Sequence, residues 1–150
     1  MTHRGYRVVT GVALVCLTAA GQTASGDDDD ERGAHYEVTV TNITRGQTFT
    51  PILVATHRAG VRLFDLGQPA SAELATLAEE GNTAPLAALL EGMSGVNDVQ
   101  SSGGLLVPGG SVTIRVRTQG QFDRVSLASM LIPTNDAFVA LNGVEGPRGR

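Results

Sequence analysis

Two stretches of strict alternation constrain this chain more than any other feature. Tyr36, Val38 and Val40 alternate with Glu37, Thr39 and Thr41; later, Val112, Ile114 and Val116 alternate with Thr113, Arg115 and Arg117. Successive side chains of a strand point to opposite faces, so a period of two sets one apolar row against a core and one polar row in water. Half-buried strands of this kind belong to antiparallel sheets, whereas strands covered on both faces read as continuous apolar runs. Residues 125–132 are of the second kind, nearly unbroken in apolar and small side chains, and are expected to form a central strand. Residues 49–56, with Ile52, Leu53 and Val54, form another extended run. The turn residues Asn42-Ile43-Thr44-Arg45-Gly46 separate it from the first strand, and the two are expected to form a hairpin. Asn42-Ile43-Thr44 is also a glycosylation sequon, which we read as turn chemistry. Pro133-Thr134-Asn135-Asp136 breaks the central run, and residues 137–141 give a last short strand.

The middle of the chain changes period. Leu74, Leu77 and Ala78, then Leu86, Leu89, Leu90 and Met93, recur at helical spacing and predict two short helices with a core-facing stripe. Ser71 suits an N-cap with Glu73 in the first turn, Gly81 and Asn82 suit a stop, and Thr83 followed by Pro85 suits a second start. Residues 95–110, punctuated by Gly103-Gly104 and Pro108-Gly109-Gly110, read as loop. A single helical region cannot build repeated βαβ units, so the expected class is mainly β, an antiparallel β-sandwich with a short helical insertion. Val38, Val40, Val112, Ile114, Val116 and Leu127 are expected in its core.

The N-terminus reads as an address. His3, Arg4 and Arg7 precede an apolar run over residues 8–20, and the small residues Ala19, Ala20, Ala24 and Ser25 offer cleavage after Ala20 or after Ser25. The run is shorter than the roughly 20 residues of a membrane span and is diluted by Thr10, Gly11 and Thr18, which favours a removed secretory signal over an uncleaved anchor. Cys16, the only cysteine, lies inside it and lacks the surroundings of a lipoprotein box, so the mature chain is expected to have no thiol and no disulfide. Residues 27–31 form an uninterrupted acidic run whose like charges repel and extend the chain. They lack the alternation and glycine turn of a calcium loop. The expected layout is a signal peptide over 1–25, an acidic disordered linker over 26–34 and one domain over 35–150, with no stable membrane span after signal removal. Without the acidic run the net charge of −4 is nearly cancelled, and no basic face is visible, which excludes nucleic acid as a partner. A composition of 41% apolar and 17% charged residues is that of a folded rather than a disordered chain.

Three segments then fall in a telling order: residues 36–44, residues 47–51, and Ser129-Met130-Leu131-Ile132-Pro133-Thr134-Asn135-Asp136-Ala137-Phe138-Val139. Together they resemble the spondin N-terminal family over residues 35–145. The last is similar to that family's Ser-Met-…-Pro-Ser-…-Asp-Trp-Phe-Val-Gly signature, with Thr134 for Ser, Ala137 for Trp and Ala140 for Gly. The resemblance implies a β-sandwich with a helical insertion, found in extracellular matrix and adhesion proteins and in bacterial secreted proteins. It implies a secreted or periplasmic binding module with a protein or glycan ligand that the sequence does not name. Family members continue into a further acidic segment containing Asp-Ala-Gly-Thr, so the domain is expected to be C-terminally truncated and the metal site of animal members incomplete. Those members also carry cysteines that the mature chain would lack, which places the likeness with the bacterial branch.

Residues suited to chemistry are few. His35 and His57 are the only imidazoles left for a base after signal removal, and neither sits in a catalytic motif; His57 is expected to end a strand at the surface. Ser94 lacks the glycine spacing of a nucleophile elbow, and two distant histidines without cysteine do not make a zinc site. The chain is therefore read as non-enzymatic. Asp136, with Asn135 beside it, is the candidate metal site, since hard Ca²⁺ prefers such oxygens and Asp136 matches the signature aspartate. Asp65 and Asp98 are possible further donors, and the competing reading of Asp136 is an Asx turn. Two other classes stay open: a secreted hydrolase, if His57 meets a serine and a carboxylate in one pocket, and a structural or self-assembling envelope protein, if a sheet edge is long and uncharged.

Overall fold

The computed structural model describes residues 13–19 and 34–147. The basic start of the expected signal peptide and most of the expected acidic linker lie outside the described residues. In chain order the elements are β1 (Ala13–Ala19), β2 (Ala34–Asn42), β3 (Thr48–Phe49), β4 (Leu53–His57), α1 (Ala72–Glu80), α2 (Ala84–Glu91), β5 (Val96–Ser101), β6 (Ser111–Thr118), β7 (Arg124–Ile132) and β8 (Phe138–Glu145). All pairings are antiparallel. One sheet runs β1-β2-β6; in the other, β7 pairs with β3, β4 and β8, and β4 pairs onward with β5. This is a mainly β sandwich with a two-helix insertion.

The alternation in β2 and β6 does what its period demands. Tyr36, Val38, Val40, Ile114 and Val116 are buried on the inner face, where Phe49, Ile52, Val54, Val125, Leu127 and Leu131 of the second sheet meet them. The outer face of that second sheet carries Leu53, Ala55, Ala128 and Phe138, covered by Leu74, Leu77, Ala78, Leu86 and Leu90 of the helices. Three layers thus enclose two cores, and β4 and β7 lie in the middle layer, which is why their sequences are continuous rather than alternating. Each fully buried leucine or valine contributes about 1.5–3 kcal/mol relative to exposure. Val112, expected in the core, is only partly buried, because it stands near the open start of β6.

The helical caps follow the residues that suggested them. Ser71 Oγ accepts the Leu74 N–H at 3.2 Å. Gly81 closes α1 in the left-handed region at φ 69°, donating its N–H to Leu77 O. A Cβ there would stand 2.6 Å from Thr50 Cγ2, so glycine is required twice over. At α2 the cap differs: Asn82 Oδ1, not Thr83, accepts the Ala84 N–H at 3.1 Å. Leu74, Leu77, Leu86 and Leu90 face the core as expected, whereas Leu89, and Met93 beyond the end of α2, are each 37% exposed.

Two expectations about strand placement fail. Residues 42–56 do not fold back on β2: β3 and β4 join β7 in the other sheet. The buried Asn42 directs the crossing, since its Nδ2 donates to Gln47 O (2.7 Å) and Leu106 O (2.9 Å) while its Oδ1 accepts from the Thr44 N–H and hydroxyl. That is turn chemistry at the sequon, with the asparagine side chain wholly used. Pro51, without an N–H, then falls in the break between β3 and β4. Residues 95–110 also contain β5, hidden by its polar sequence Val-Asn-Asp-Val-Gln-Ser. Two of those polar side chains bind the main chain of β6. Buried Asp98 accepts the Arg117 N–H at 2.7 Å, and Asn97 Nδ2 donates to Arg117 O at 2.9 Å, joining the two sheets at one corner.

Candidate functional site

The turn that carries the family-like signature lies between β7 and β8. Thr134 organises it, its hydroxyl donating to Leu131 O and accepting the Ala137 N–H at 3.3 Å. Asp136 is half-buried and Asn135 exposed. The turn is therefore closed by the threonine that replaces the signature serine, and the Asx-turn reading of Asp136 is not what holds it. The proposed companions are elsewhere. Asp98 belongs to β5, opposite Thr56, which itself stands opposite Val125 near the other end of β7. At about 3.3 Å per residue that is on the order of 20 Å away along the strand. Asp98 is also occupied, by the Arg117 N–H and by Gln100 Nε2 at 2.9 Å. Asp65 sits in the loop after β4, 3.8 Å from Arg62 Nε. Among the described residues no three His, Cys, Asp or Glu side chains converge as a metal site.

The more organised polar cluster is at the start of β7. His57 ends β4 as expected, but it is 1% exposed rather than on the surface. The register of β4 against β7 sets it opposite Arg124, two residues from Ser126. Its Nε2 lies 2.8 Å from Ser126 Oγ and its Nδ1 2.8 Å from Arg58 O. A carbonyl can only accept, so Nδ1 carries the proton and Nε2 accepts the Ser126 hydroxyl. Ser126 Oγ in turn accepts the Gly143 N–H at 2.8 Å. A register shift between Val125 and Leu127 aims that N–H at it, with Gly143 at φ 74°. Burial lowers the His57 pKa, with the Arg124 charge adding to the same direction and the Arg58 carbonyl opposing it, so the imidazole is held neutral.

Beside this cluster His57, Ala59, Gly60, Val61, Arg62, Arg124 and Gly143 line a cavity of about 130 Å³. Asn142 fixes its outer wall by accepting the Leu63 N–H at 2.8 Å and donating to Phe64 O at 2.7 Å. The volume matches only a few waters at ≈ 30 Å³ each and falls short of the roughly 300 Å³ at which ligand pockets begin. A serine and a histidine do meet here, as the hydrolase reading required. A main-chain carbonyl, however, stands where that reading needs a carboxylate, and Ser126 is 1% exposed with its oxygen shared between two partners. The arrangement ties β4, β7 and β8 together and holds the loop after β4.

Sequence reasoning missed Ser126, Asn142 and Gly143. The available signal was slight: Ser126 and Ser129 are the only hydroxyls in an otherwise apolar buried strand, and each must find a partner there. Ser129 does so by donating to Thr50 O at 2.8 Å.

No curated protein matches the chain. A family model does, the one described as Spondin_N, over residues 35–146, which takes in every described element from β2 to β8 but for Ala34 at the start of β2. The sandwich with its two-helix insertion, the Thr134 turn and this match across most of the sequence agree: the chain belongs to the spondin N-terminal family.

Proposed function

We propose that this protein is an exported, non-enzymatic binding or adhesion module whose ligand is a protein or a glycan. The observation that carries the reading is the family match over residues 35–146, since spondin-type domains are typically extracellular and generally without enzymatic activity. The basic start and short apolar run of the N-terminus support export. Among the described residues no helix is long and apolar enough to cross a membrane. The closed Ser126–His57 pair supports a structural role for the one cluster that resembles a catalytic dyad. In this reading Asp136 and Asn135, at the Thr134 turn, serve as weak Ca²⁺ ligands that assist binding, in the range of about 10⁻⁴–10⁻³ M typical of extracellular modules.

The test separates binding from catalysis. The exported chain and its Ser126→Ala variant are compared for saturable retention on extracellular polysaccharide and surface-protein fractions, and for hydrolysis of ester, amide and glycoside substrates. Retention by both proteins without turnover is the expected result. Turnover abolished by Ser126→Ala in a variant that still folds contradicts the reading.

A further inference from the structure

The backbone groups of β2 are divided between two neighbours. The Asn42 N–H donates to Gly110 O at 2.9 Å and the Gly109 N–H donates to Asn42 O at 2.7 Å, so the even-numbered residues of β2 direct their groups at β6. Groups alternate along an antiparallel strand, which leaves those of Glu37, Thr39 and Thr41 directed at the other edge. That edge is taken by β1, with Leu14, Cys16 and Thr18 opposite Thr41, Thr39 and Glu37.

Two other strand edges of the sandwich are blunted. The outward N–H of Arg117 in β6 is held by Asp98, and its carbonyl by Thr56 Oγ1 at 2.6 Å and Asn97 Nδ2. The β8 ladder is bent by its register shift and ends on Glu145. The β2 edge has none of these devices: nine residues without proline or lysine, and one carboxylate, Glu37, already 2.7 Å from Arg115 Nη2. Its cover is the apolar segment whose removal the export reading requires.

We infer that the β2 edge is a strand-acceptor site, filled in the precursor by residues 13–19 and, after leader removal, by β2 of a second copy in a two-fold pair centred on Thr39. This inference rests on the export reading. At that register Thr39 meets its own counterpart, Glu37 meets Thr41, and Val38 meets Val40, so all the outward N–H and C=O groups oppose one another and no like charges do. The pattern also reproduces that of the leader. Opposite Val38 and Val40 the leader sets Leu17 and Val15, and a second β2 sets Val40 and Val38. In the two-fold pair the inner apolar row of Val38 and Val40 thus continues across the seam.

The chain as recovered from outside the cytoplasm is characterised by intact mass and by light scattering on a sizing column. The expected solution mass is twice that of the leaderless chain, falling twofold in Thr39→Pro, which deletes an outward N–H and leaves the ladder to β6 intact. Thr39→Cys reports independently of any folding defect in the proline variant. Directly opposed residues in a hydrogen-bonded pair have Cα atoms about 5.5 Å apart, within disulfide reach. The leaderless chain has no other cysteine. Oxidation is expected to give a covalent dimer of Thr39→Cys and none of Thr113→Cys, which faces solvent on the neighbouring strand. A leaderless monomer whose Thr39→Cys form cross-links no better than Thr113→Cys overturns the pairing. A monomer that still carries residues 13–19 overturns the export premise instead, and the pairing with it.

Discussion

At the scale of single residues, His57 and Gly81 show side-chain identity being set by surroundings that a local sequence window does not contain. His57 is buried and neutral, with a folded pKa below its usual 6.5. The sign of the consequence follows from linkage: in acid the unfolded chain takes up a proton that the folded chain resists, so the His57 contribution is complete above pH 6.5 and is lost as pH falls toward the lowered folded pKa. Unfolding midpoints measured between about pH 7.5 and 5 are expected to drop more steeply for the wild type than for His57→Gln; parallel curves would mean that folding does not shift the imidazole pKa. Gly81 combines a positive φ with a close approach to Thr50, and Gly81→Ala is expected to cost about 1–3 kcal/mol by chemical denaturation. The cap was legible because Gly after an apolar period is a local signal. The burial of His57 was not, because it depends on Ser126, a strand remote in sequence, and on a bulge in β8.

At the scale of elements, legibility followed the number of faces a strand buries. β2 and β6 declare themselves through alternation and β7 through continuity, and the two helices through period and caps. β5 was missed because its inner position is an aspartate, buried at 8% exposure, and Asp98 and Asn97 bind the main chain of β6 rather than fill a core row. Removing that contact is informative: Asp98→Ala leaves the Arg117 N–H without its partner and is expected to destabilise the domain by about 1–3 kcal/mol, measured by urea unfolding. A cost near zero would show that the sheet corner holds without it. The expected hairpin failed for a related reason, since Asn42 finds its acceptor on Leu106, a contact between distant segments that no turn signature announces. The β7–β8 turn belongs to this scale too. Calorimetric titration with millimolar Ca²⁺ is expected to give heat for the wild type and none for Asp136→Ala, while equal heats, or none in either, leave Asp136 without a metal role.

At the scale of the whole molecule, the segment order that suggested the family was legible because it spans β2, β3 and the β7–β8 turn, parts of the chain whose local chemistry is demanding. The sheet pairing was not, because antiparallel partners are chosen by contacts between remote strands. The proposed function depends on where the folded chain resides. Residues 34–147 carry the sandwich of a spondin N-terminal family member, and the proposed function requires its export. Mass spectrometry of the protein recovered from the periplasm or medium of an expressing host decides it: a mature chain beginning between residues 21 and 33 is expected, and recovery of a soluble cytoplasmic protein with intact Met1 would contradict export.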